Sequence, residues 1–314
     1  MGNDGDYGKQ LAIGVDIGGT RTKIGLVDLA KGKVLEILVH PTETLHTDKF
    51  IQAIQNSVHV LEKNIKNEEL IGIGFGVPGF VFENGSVDST YGFLQFMENY
   101  PLAAIIKKKL GITCLVDNDA RVVALGESLY GKGKNISRVL VLTLGTGLGI
   151  GFTVDGVLDG TRPYSHMAGH LTITKSDMPC YCGRKGCLEA LLSSAGFIEA
   201  AKQAGWFEKY PEISPTPENI FLERKKGNPE AIAIVKDFIL FLQTGIDNYI
   251  NIYAPDMIVL GGGISKSLKH DLHRFQDTKL LRPFKKYTNK IVVSELAEQA
   301  GVLGSAALFV KGNR

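Results

Sequence analysis

Residues 11–29, LAIGVDIGGTRTKIGLVDL, place a glycine-rich turn between two runs of apolar residues. Residues 139–157, VLVLTLGTGLGIGFTVDGV, repeat this arrangement, and a shift of 127 positions aligns Val27–Asp28 with Val154–Asp155. The apolar runs predict buried strands, and the glycines predict a tight turn between them. The sequence therefore predicts two copies of one strand–turn–strand unit; the alternative is that two unrelated glycine-rich hairpins resemble each other.

Helices and strands alternate along the rest of the chain, which indicates the α/β class with two similar lobes. The stretch 208–218 contains three prolines and is expected to be a surface connection. The predicted helices cover residues 48–67, 101–110, 120–130, 188–205, 228–253 and 299–310, and the predicted strands outside the two copies cover 71–77, 112–116 and 257–260.

The composition excludes several classes of protein. A chain of 314 residues with 44% hydrophobic residues can bury the cores of two domains. Its 35 basic and 33 acidic side chains leave a net charge of +2, which provides no field for nucleic acid or an anionic membrane. No apolar stretch is long enough for a membrane span, and the first ten residues lack the apolar core of a secretory signal. We therefore expect a cytoplasmic protein with neither a nucleic-acid partner nor a membrane partner.

The turn of the first copy, Asp16–Thr20, reads DIGGT. Its glycines expose backbone N–H groups that can hold phosphate oxygens, while Asp16 can face Mg²⁺. The turn of the second copy, Gly145–Gly147, can hold another phosphate, and Gly261–Gly263 follow a predicted strand where the backbone can approach a ligand closely. Two phosphate-binding turns suit a nucleoside triphosphate, whereas ordinary hairpin turns would serve only the fold.

Three cysteines lie within eight residues, at Cys180, Cys182 and Cys187, with glycines between them. Zn²⁺ takes four nitrogen or sulfur ligands in a tetrahedron, and His170 is the nearest further candidate along the chain. The spacing favours zinc over the alternative, a redox site. Cys114 lies in a predicted strand and is expected to be an ordinary core residue.

Asp117, Asn118 and Asp119 lie where a predicted strand meets a predicted helix. One carboxylate there could accept a proton from a hydroxyl group, with the helix N-terminus favouring its charged form. A helix cap needs only one of the three residues. On this motif alone, a catalytic role and a capping role are equally supported.

Together, six segments resemble the ROK family (repressor, open reading frame, kinase) over nearly the whole chain. The run of cysteines after a Gly-His pair is specific to this family within the larger actin-like, hexokinase-like group. The six are DIGGT at 16–20, VDNDARVVALGE at 116–127, LGTGLGIG at 144–151, GH…CxCGxxGCLE at 169–189, VLGGGIS at 259–265 and AGVLGSAAL at 300–308.

The resemblance implies two ribonuclease-H-like lobes of the actin-like ATPase fold, with ATP and a sugar meeting in the cleft between them. Residues 1–118 would form the small lobe, with a C-terminal helix at about 299–314 packing back on it. Residues 119–298 would form the larger lobe and carry the zinc loop. The resemblance also implies a homodimer.

The resemblance further assigns roles to individual residues of an ATP-dependent sugar kinase. Zinc would shape the sugar pocket and take no part in the chemistry, and Asp119 would be the base that accepts the proton of the primary hydroxyl. The phosphates and Mg²⁺ would be bound by Asp16, Gly18, Gly19, Thr20, Gly145, Thr146 and Gly147, the nucleoside by Gly261, Gly262 and Gly263, the sugar by Gly79, Asn118, Asp119, His170 and Glu189, and zinc by His170, Cys180, Cys182 and Cys187.

Two departures from the family pattern concern the sugar. The family reads AGExGH, but here Met167 stands in place of the glutamate and His166 in place of the glycine. Its sugar-contacting Asn-Leu segment is replaced by Tyr91-Gly92-Phe93-Leu94. Because recognition of hydroxyl groups depends on paired polar groups, we expect an altered sugar preference.

The residues also bear on three rival functions. A transcriptional repressor of this family would need a DNA-binding helix-turn-helix before DIGGT, where only fifteen residues precede Asp16. A catalytically silent sugar-binding protein is favoured by Met167 and Tyr91 and disfavoured by the presence of Asp16 and Asp119. A kinase that uses polyphosphate would need a basic track, which the even charge balance does not indicate.

Overall fold

The structure is a computed structural model that describes residues 10–89, 94–160, 164, 167–276, 287–310 and 312. The elements of its first half are β1 (Gln10–Ile17), β2 (Arg21–Asp28), β3 (Lys33–Pro41), α1 (Thr47–Glu62), β4 (Glu69–Val77), β5 (Phe80–Val81), β6 (Val87–Asp88), α2 (Leu102–Leu110), β7 (Cys114–Asn118), α3 (Asp119–Tyr130), β8 (Arg138–Leu144), β9 (Leu148–Val154) and β10 (Val157–Leu158). Those of the second half are α4 (Leu188–Leu192), α5 (Ser194–Gln203), α6 (Trp206–Lys209), α7 (Pro217–Lys225), α8 (Pro229–Tyr253), β11 (Met257–Gly261), α9 (Leu272–Gln276), β12 (Lys290–Val293) and α10 (Ala300–Ala307).

Two five-stranded sheets have equivalent strand orders, β3-β2-β1-β4-β7 and β10-β9-β8-β11-β12. In the first sheet, β1 pairs antiparallel with β2 and parallel with β4, which pairs parallel with β7. In the second, β11 and β12 are also parallel. The two glycine hairpins therefore occupy equivalent places in two equivalent sheets, as the sequence repeat predicts.

The chain divides into two compact units. The first comprises Met1–Val141, Gly151–His166 and Glu295–Arg314, and the second comprises Leu142–Ile150 and Met167–Ser294, so the division falls within β8 and β9. Both β7 and α3 belong to the first unit. The lobe boundary expected between residues 118 and 119 therefore lies inside that unit.

The core of the first unit lies on both faces of its sheet. One face packs against α1 and α2, and the other packs against α10. Helix α10 lies very close to the strands: a Cβ at Gly14 would be 1.9 Å from the Val302 carbonyl oxygen, and one at Gly74 would be 1.8 Å from that of Ser305. The C-terminal helix thus packs back on the N-terminal sheet because glycines in β1 and β4 leave room for its backbone.

Two predictions of secondary structure were wrong in detail. The helix expected at 188–205 is interrupted at Ser193, which is extended and whose hydroxyl oxygen accepts a hydrogen bond from the Gly196 N–H, so it caps a new helix. The expected surface connection at 208–218 includes the end of α6 and the start of α7. It is held to the core because Trp206 is fully buried and its Nε1 donates to the Ile213 carbonyl oxygen at 2.7 Å.

Helix α8 is the longest of the helices named above, with 25 residues. Neither it nor any other described helix is long and apolar enough to cross a membrane.

Candidate functional site

The junction of β7 and α3 separates the capping residue from the proposed base. The side-chain oxygen of Asn118 accepts hydrogen bonds from the N–H groups of Ala120 at 2.9 Å and Arg121 at 3.2 Å, so Asn118 is the N-cap of α3. Its amide nitrogen donates to the carbonyl oxygen of Gly79 at 2.9 Å, and the Asn118 side chain also hydrogen-bonds the carboxyl group of Asp119. Oδ1 of Asp119 also accepts from the Ala120 N–H, at 2.8 Å, so both side chains meet the start of the helix and the catalytic role of Asp119 stays a prediction.

Two carboxyl groups, those of Asp16 and Asp119, influence each other at one edge of the first sheet. In the strand register, Asp16 of β1 pairs with Gly76 of β4, which pairs with Asp117 of β7, so the carboxyl ends of these parallel strands meet there. Burial, and then the negative charge of Asp16, raise the pKa of Asp119 to about 7. A carboxyl group with such a pKa can exchange a proton near neutral pH.

Asp16 itself is held in a poorly solvated place. Burial raises its pKa, whereas the ammonium group of Lys23, 3.6 Å away, acts to lower it. A Cβ at Gly301 of α10 would lie 2.5 Å from the carboxyl carbon of Asp16, so only glycine fits beside it. Lys23 was missed by the sequence reasoning, although a three-residue turn pairs it directly with Asp16.

Thr42, the residue directly after β3, stabilises the turn between β1 and β2 through hydrogen bonds. The Thr42 hydroxyl donates to the Gly18 carbonyl oxygen at 2.7 Å, and its N–H donates to that of Thr20 at 3.0 Å. Gly19 and Thr20 remain exposed. No motif marks Thr42, because its role follows from the pairing of β2 with β3.

In the second unit, the two other glycine segments adjoin. A Cβ at Gly262, whose φ is +79°, would lie 2.3 Å from the carbonyl oxygen of Leu144, the residue before the turn Gly145–Gly147. The Gly145 carbonyl oxygen accepts from the N–H and hydroxyl of Ser194, which hold the turn in place. A Cβ at Gly145 or at Gly263 would meet nothing within 4 Å. This open space beside the backbone fits the phosphate and nucleoside roles expected for these residues.

The four expected metal ligands lie together in the second unit. Nδ1 of His170 and the Sγ atoms of Cys180, Cys182 and Cys187 are all within 4.8 Å of one another, and the cysteines form no disulfide. The Cys180 Sγ is 3.5 Å from His170 Nδ1, and the Sγ atoms of Cys182 and Cys187 are 3.7 Å apart. A tetrahedral Zn²⁺ with bonds of about 2.0–2.3 Å needs ligand separations of about 3.5–3.8 Å. The donor set therefore fits zinc.

Glu189 lies between this cluster and the turn Gly145–Gly147. Its Oε2 is 3.4 Å from His170 Nδ1 and accepts a hydrogen bond from the Tyr181 hydroxyl at 3.3 Å. A Cβ at Gly147 would be 2.6 Å from its Oε1. The Glu189 side chain is 13% exposed, so it is only partly buried and solvent can reach it. The structure thus brings Glu189 next to His170, and their expected roles toward the sugar stay predictions.

Of the two departures from the family pattern, the structure describes only Met167. Met167 begins the short 3-10 turn that carries His170, and it is 38% exposed. Tyr91, Gly92 and Phe93, together with His166, lie outside the described residues.

Two equivalent α/β units, each with a glycine turn at the end of its first strand, define the actin-like ATPase fold. The chain matches the model of the ROK family over residues 12–312, and it belongs to that family. A glucokinase of Halalkalibacterium halodurans is 30% identical to it, with 96% of this chain and 93% of that protein covered. An N-acetyl-D-glucosamine kinase of Pectobacterium carotovorum is 28% identical, with 96% and 100% covered. The solved structure of a ROK family glucokinase from Streptomyces griseus, in complex with glucose and AMPPNP, matches with a TM-score of 0.78 at 25% identity, covering 95% of this chain and 98% of that one.

Proposed function

We propose that this ATP-dependent sugar kinase phosphorylates the primary hydroxyl of a hexose or an N-acetylhexosamine, with Asp119 as the general base. The observation that carries the proposal is a carboxyl group at the start of a helix that Asn118 already caps, with a pKa raised to about 7 by burial and by the charge of Asp16. The named relatives, a glucokinase and an N-acetylglucosamine kinase, support the substrate class.

In the proposed step, the carboxylate of Asp119 accepts the proton of the sugar hydroxyl as its oxygen forms a bond to the γ-phosphorus. The bond from that phosphorus to the bridging oxygen breaks, and ADP leaves with the electron pair. General-base assistance of this kind contributes about 10²–10⁴ in rate. Positioning and neutralisation of charge supply the remainder in phosphoryl transfer.

Asp16, Gly18, Gly19 and Thr20 would bind phosphate oxygens and the hydrated metal in the first unit. When bound, Mg²⁺ neutralises the charge that develops on the phosphoryl oxygens. Asp16 suits this task because a carboxylate that is already poorly solvated gains from a nearby cation. In the second unit, the corresponding role falls to Gly145, Thr146, Gly147, Gly261, Gly262 and Gly263, where Gly145 and Gly263 have open space beside the backbone.

The sugar would be held from several directions. Asn118 would contact the sugar beside Asp119, because its side chain is held there by hydrogen bonds to Gly79, to the start of α3 and to Asp119. Glu189 can accept from sugar hydroxyls, and Gly79 would contribute its backbone. His170 would bind zinc through Nδ1, the atom that faces the cysteines, which leaves its other ring nitrogen for the sugar.

We further propose that the four-residue cluster holds a structural Zn²⁺. Its function would be to fix the loop that carries His170 and to keep Glu189, two residues after Cys187, in place. A homodimer in the cytoplasm is the assembly and location that the family resemblance supports.

The test is a coupled assay of ADP release over hexoses, N-acetylhexosamines and their epimers, with Asp119→Asn as the inactive control. A separate arm replaces ATP with polyphosphate. We expect turnover with ATP and at least one sugar. Absence of turnover with every sugar would overturn the proposal, and calorimetric binding of a sugar without turnover would identify a silent sugar-binding protein.

A further inference from the structure

Arg121 is a buried cation in the first turn of α3. It is 9% exposed, and all three of its guanidinium nitrogens donate hydrogen bonds. Nε donates to Oδ1 of Asp117 at 2.7 Å, Nη1 to the Asp159 carbonyl oxygen at 2.9 Å, and Nη2 to that of Gly160 at 3.0 Å. A buried charge is tolerated only when it is paired and hydrogen-bonded, so these contacts constrain one another.

One end of this arrangement lies beside the proposed base. The same Oδ1 of Asp117 that accepts from Arg121 also accepts from the N–H of Asn118 at 2.6 Å. Asp117 is thereby fixed on two sides, and it is separated from Asp119 only by the helix cap. Arg121 thus acts on the Asp117–Asp119 segment through Asp117.

The other end of the arrangement leads back to Gly79, also in the first unit. Shortly after Gly160, the ring of Tyr164 packs edge-on against Phe80 at 4.7 Å, and its hydroxyl donates to Oδ2 of Asp88 at 3.2 Å. Phe80 and Asp88 pair in the β5–β6 hairpin. That hairpin begins just after Gly79, whose carbonyl oxygen accepts from Asn118. Tyr164, four residues after Gly160, therefore contacts the hairpin that begins beside Gly79, the hydrogen-bond partner of Asn118.

We propose that Arg121 is a positioning residue for sugar binding, which rests on the proposed kinase function. It fixes the Asp117–Asp119 segment relative to the backbone at 159–160, four residues before Tyr164, which contacts the hairpin that follows Gly79. Neither the phosphate-binding turn nor Asp16 takes part in the contacts described here. Loss of the guanidinium group should therefore weaken sugar binding and leave ATP binding unchanged.

The test compares Arg121→Lys and Arg121→Gln with wild type in steady-state kinetics. A single ammonium group cannot reach three acceptors that a planar guanidinium spans, so Lys should rescue only in part. We expect kcat/KM for the sugar to fall about tenfold in Arg121→Lys and about a hundredfold in Arg121→Gln, since small displacements in a site cost rates of this order. The change should lie mainly in the sugar KM, with the KM for ATP unchanged.

A milder variant keeps the inference testable if Arg121→Gln does not fold. Tyr164 is 46% exposed, so Tyr164→Phe removes only the hydrogen bond to Asp88 and should raise the sugar KM severalfold with no loss of fold. The matched control is Arg224→Lys, which breaks a paired guanidinium in the second unit, where Arg224 binds both carboxylate oxygens of Asp271. It should lower the melting temperature without changing the sugar KM.

Amide hydrogen exchange provides a readout that does not depend on turnover. Arg121→Gln should speed exchange at residues 79–88 and 159–160, whereas exchange in β1 and β2 stays as in wild type. Folded Arg121 variants with an unchanged sugar KM would overturn the inference. If wild type shows no sugar turnover, the kinase proposal fails separately, and unchanged exchange at 79–88 and 159–160 would then overturn the positioning role as well.

Discussion

The negative charge of Asp16 is, after burial, the largest cause that raises the pKa of Asp119 to about 7. Asp16 is the next-to-last residue of β1, and Asp119 directly follows β7. Both residues belong to the first unit. The ammonium group of Lys23 lies 3.6 Å from the carboxylate of Asp16 and partly offsets its negative charge. A cation that binds at Asp16 would offset its charge and so favour the ionised, proton-accepting form of Asp119. The metal side and the base side of the proposed reaction are therefore coupled through charge.

The first prediction concerns this coupling. Asp16→Asn removes the negative charge, so the pKa of Asp119 in the free protein should fall below about 7. Carbon-13 NMR of labelled aspartate carboxyl groups measures the titration directly. Asp237→Asn, at an exposed position of α8, is the control and should leave the midpoint unchanged. A midpoint that is the same in wild type and Asp16→Asn would contradict the coupling.

The second prediction concerns the pH dependence of catalysis. Only the ionised carboxylate of Asp119 accepts a proton, so kcat/KM should rise with pH through an apparent pKa near 7 for the free enzyme. The measurement is the initial rate with both the sugar and Mg²⁺–ATP well below saturation across pH 5–9, so that it reports the free enzyme, with the coupling enzymes shown not to limit the rate. A profile that is flat between pH 5 and 8 would mean that no group with this pKa is required.

The third prediction is that Asp119→Asn lowers turnover by about 10²–10⁴ while the fold persists. Because Asn118 caps α3, the substitution removes no cap. The folded-state pKa of Asp119 lies above its ordinary value of 3.8, so the native state prefers the protonated carboxyl. This stabilisation is complete below the ordinary pKa and is lost as pH rises through about 7.

The direction of this pKa shift predicts how the stability of the variant depends on pH. The melting temperature of Asp119→Asn should exceed that of wild type by more at pH 8 than at pH 5, since the variant has no charge to bury. The control is Asn118→Ala, which removes the cap and should lower stability by about 0.5–2 kcal/mol at both pH values. Near wild-type turnover in Asp119→Asn would exclude this residue as the base.

The fourth prediction is one zinc ion per chain, measured by elemental analysis of protein purified without added metal. Cys187→Ser removes a buried ligand and should lose both the zinc and thermal stability, because structural zinc contributes about 10–16 kcal/mol of binding free energy. Cys114→Ser lies outside the cluster and should keep a full equivalent of zinc. A stoichiometric disulfide among Cys180, Cys182 and Cys187 in freshly prepared protein would contradict the assignment.

Much of the fold and part of the site could be predicted from sequence because their causes are local. The glycine hairpins and the cysteine spacing are read from neighbouring residues, and the structure brings the cysteines to His170 as expected. Other features depend on contacts between distant segments. Thr42 acts through strand pairing, Trp206 through burial, and Arg121 through carbonyl groups 38 and 39 residues away. No local pattern encodes such contacts.

The fifth prediction concerns sugar specificity. Met167 is exposed at the start of the turn that carries His170, and it stands where the family pattern has a glutamate. A thioether cannot accept the hydrogen bonds of a sugar hydroxyl as a carboxylate does, and an unpaired buried hydroxyl costs about 1–3 kcal/mol. Glucose should therefore be a poor substrate of the wild-type enzyme. The apolar side chain of Met167 would, in contrast, accommodate a sugar that carries an acetamido methyl group. Met167→Glu should raise kcat/KM for glucose by about tenfold or more.

The measurement is the ratio of kcat/KM for glucose to that for N-acetylglucosamine in wild type and in Met167→Glu. Leu240→Glu is the matched control, because it adds the same charge at an exposed apolar position of α8 and should leave the ratio unchanged. A change of the ratio in Met167→Glu alone would place residue 167 among the groups that read the sugar. If wild type already phosphorylates glucose with ordinary efficiency, Met167 lies outside that set, and the correspondence of residues 166–170 with the family pattern is locally wrong.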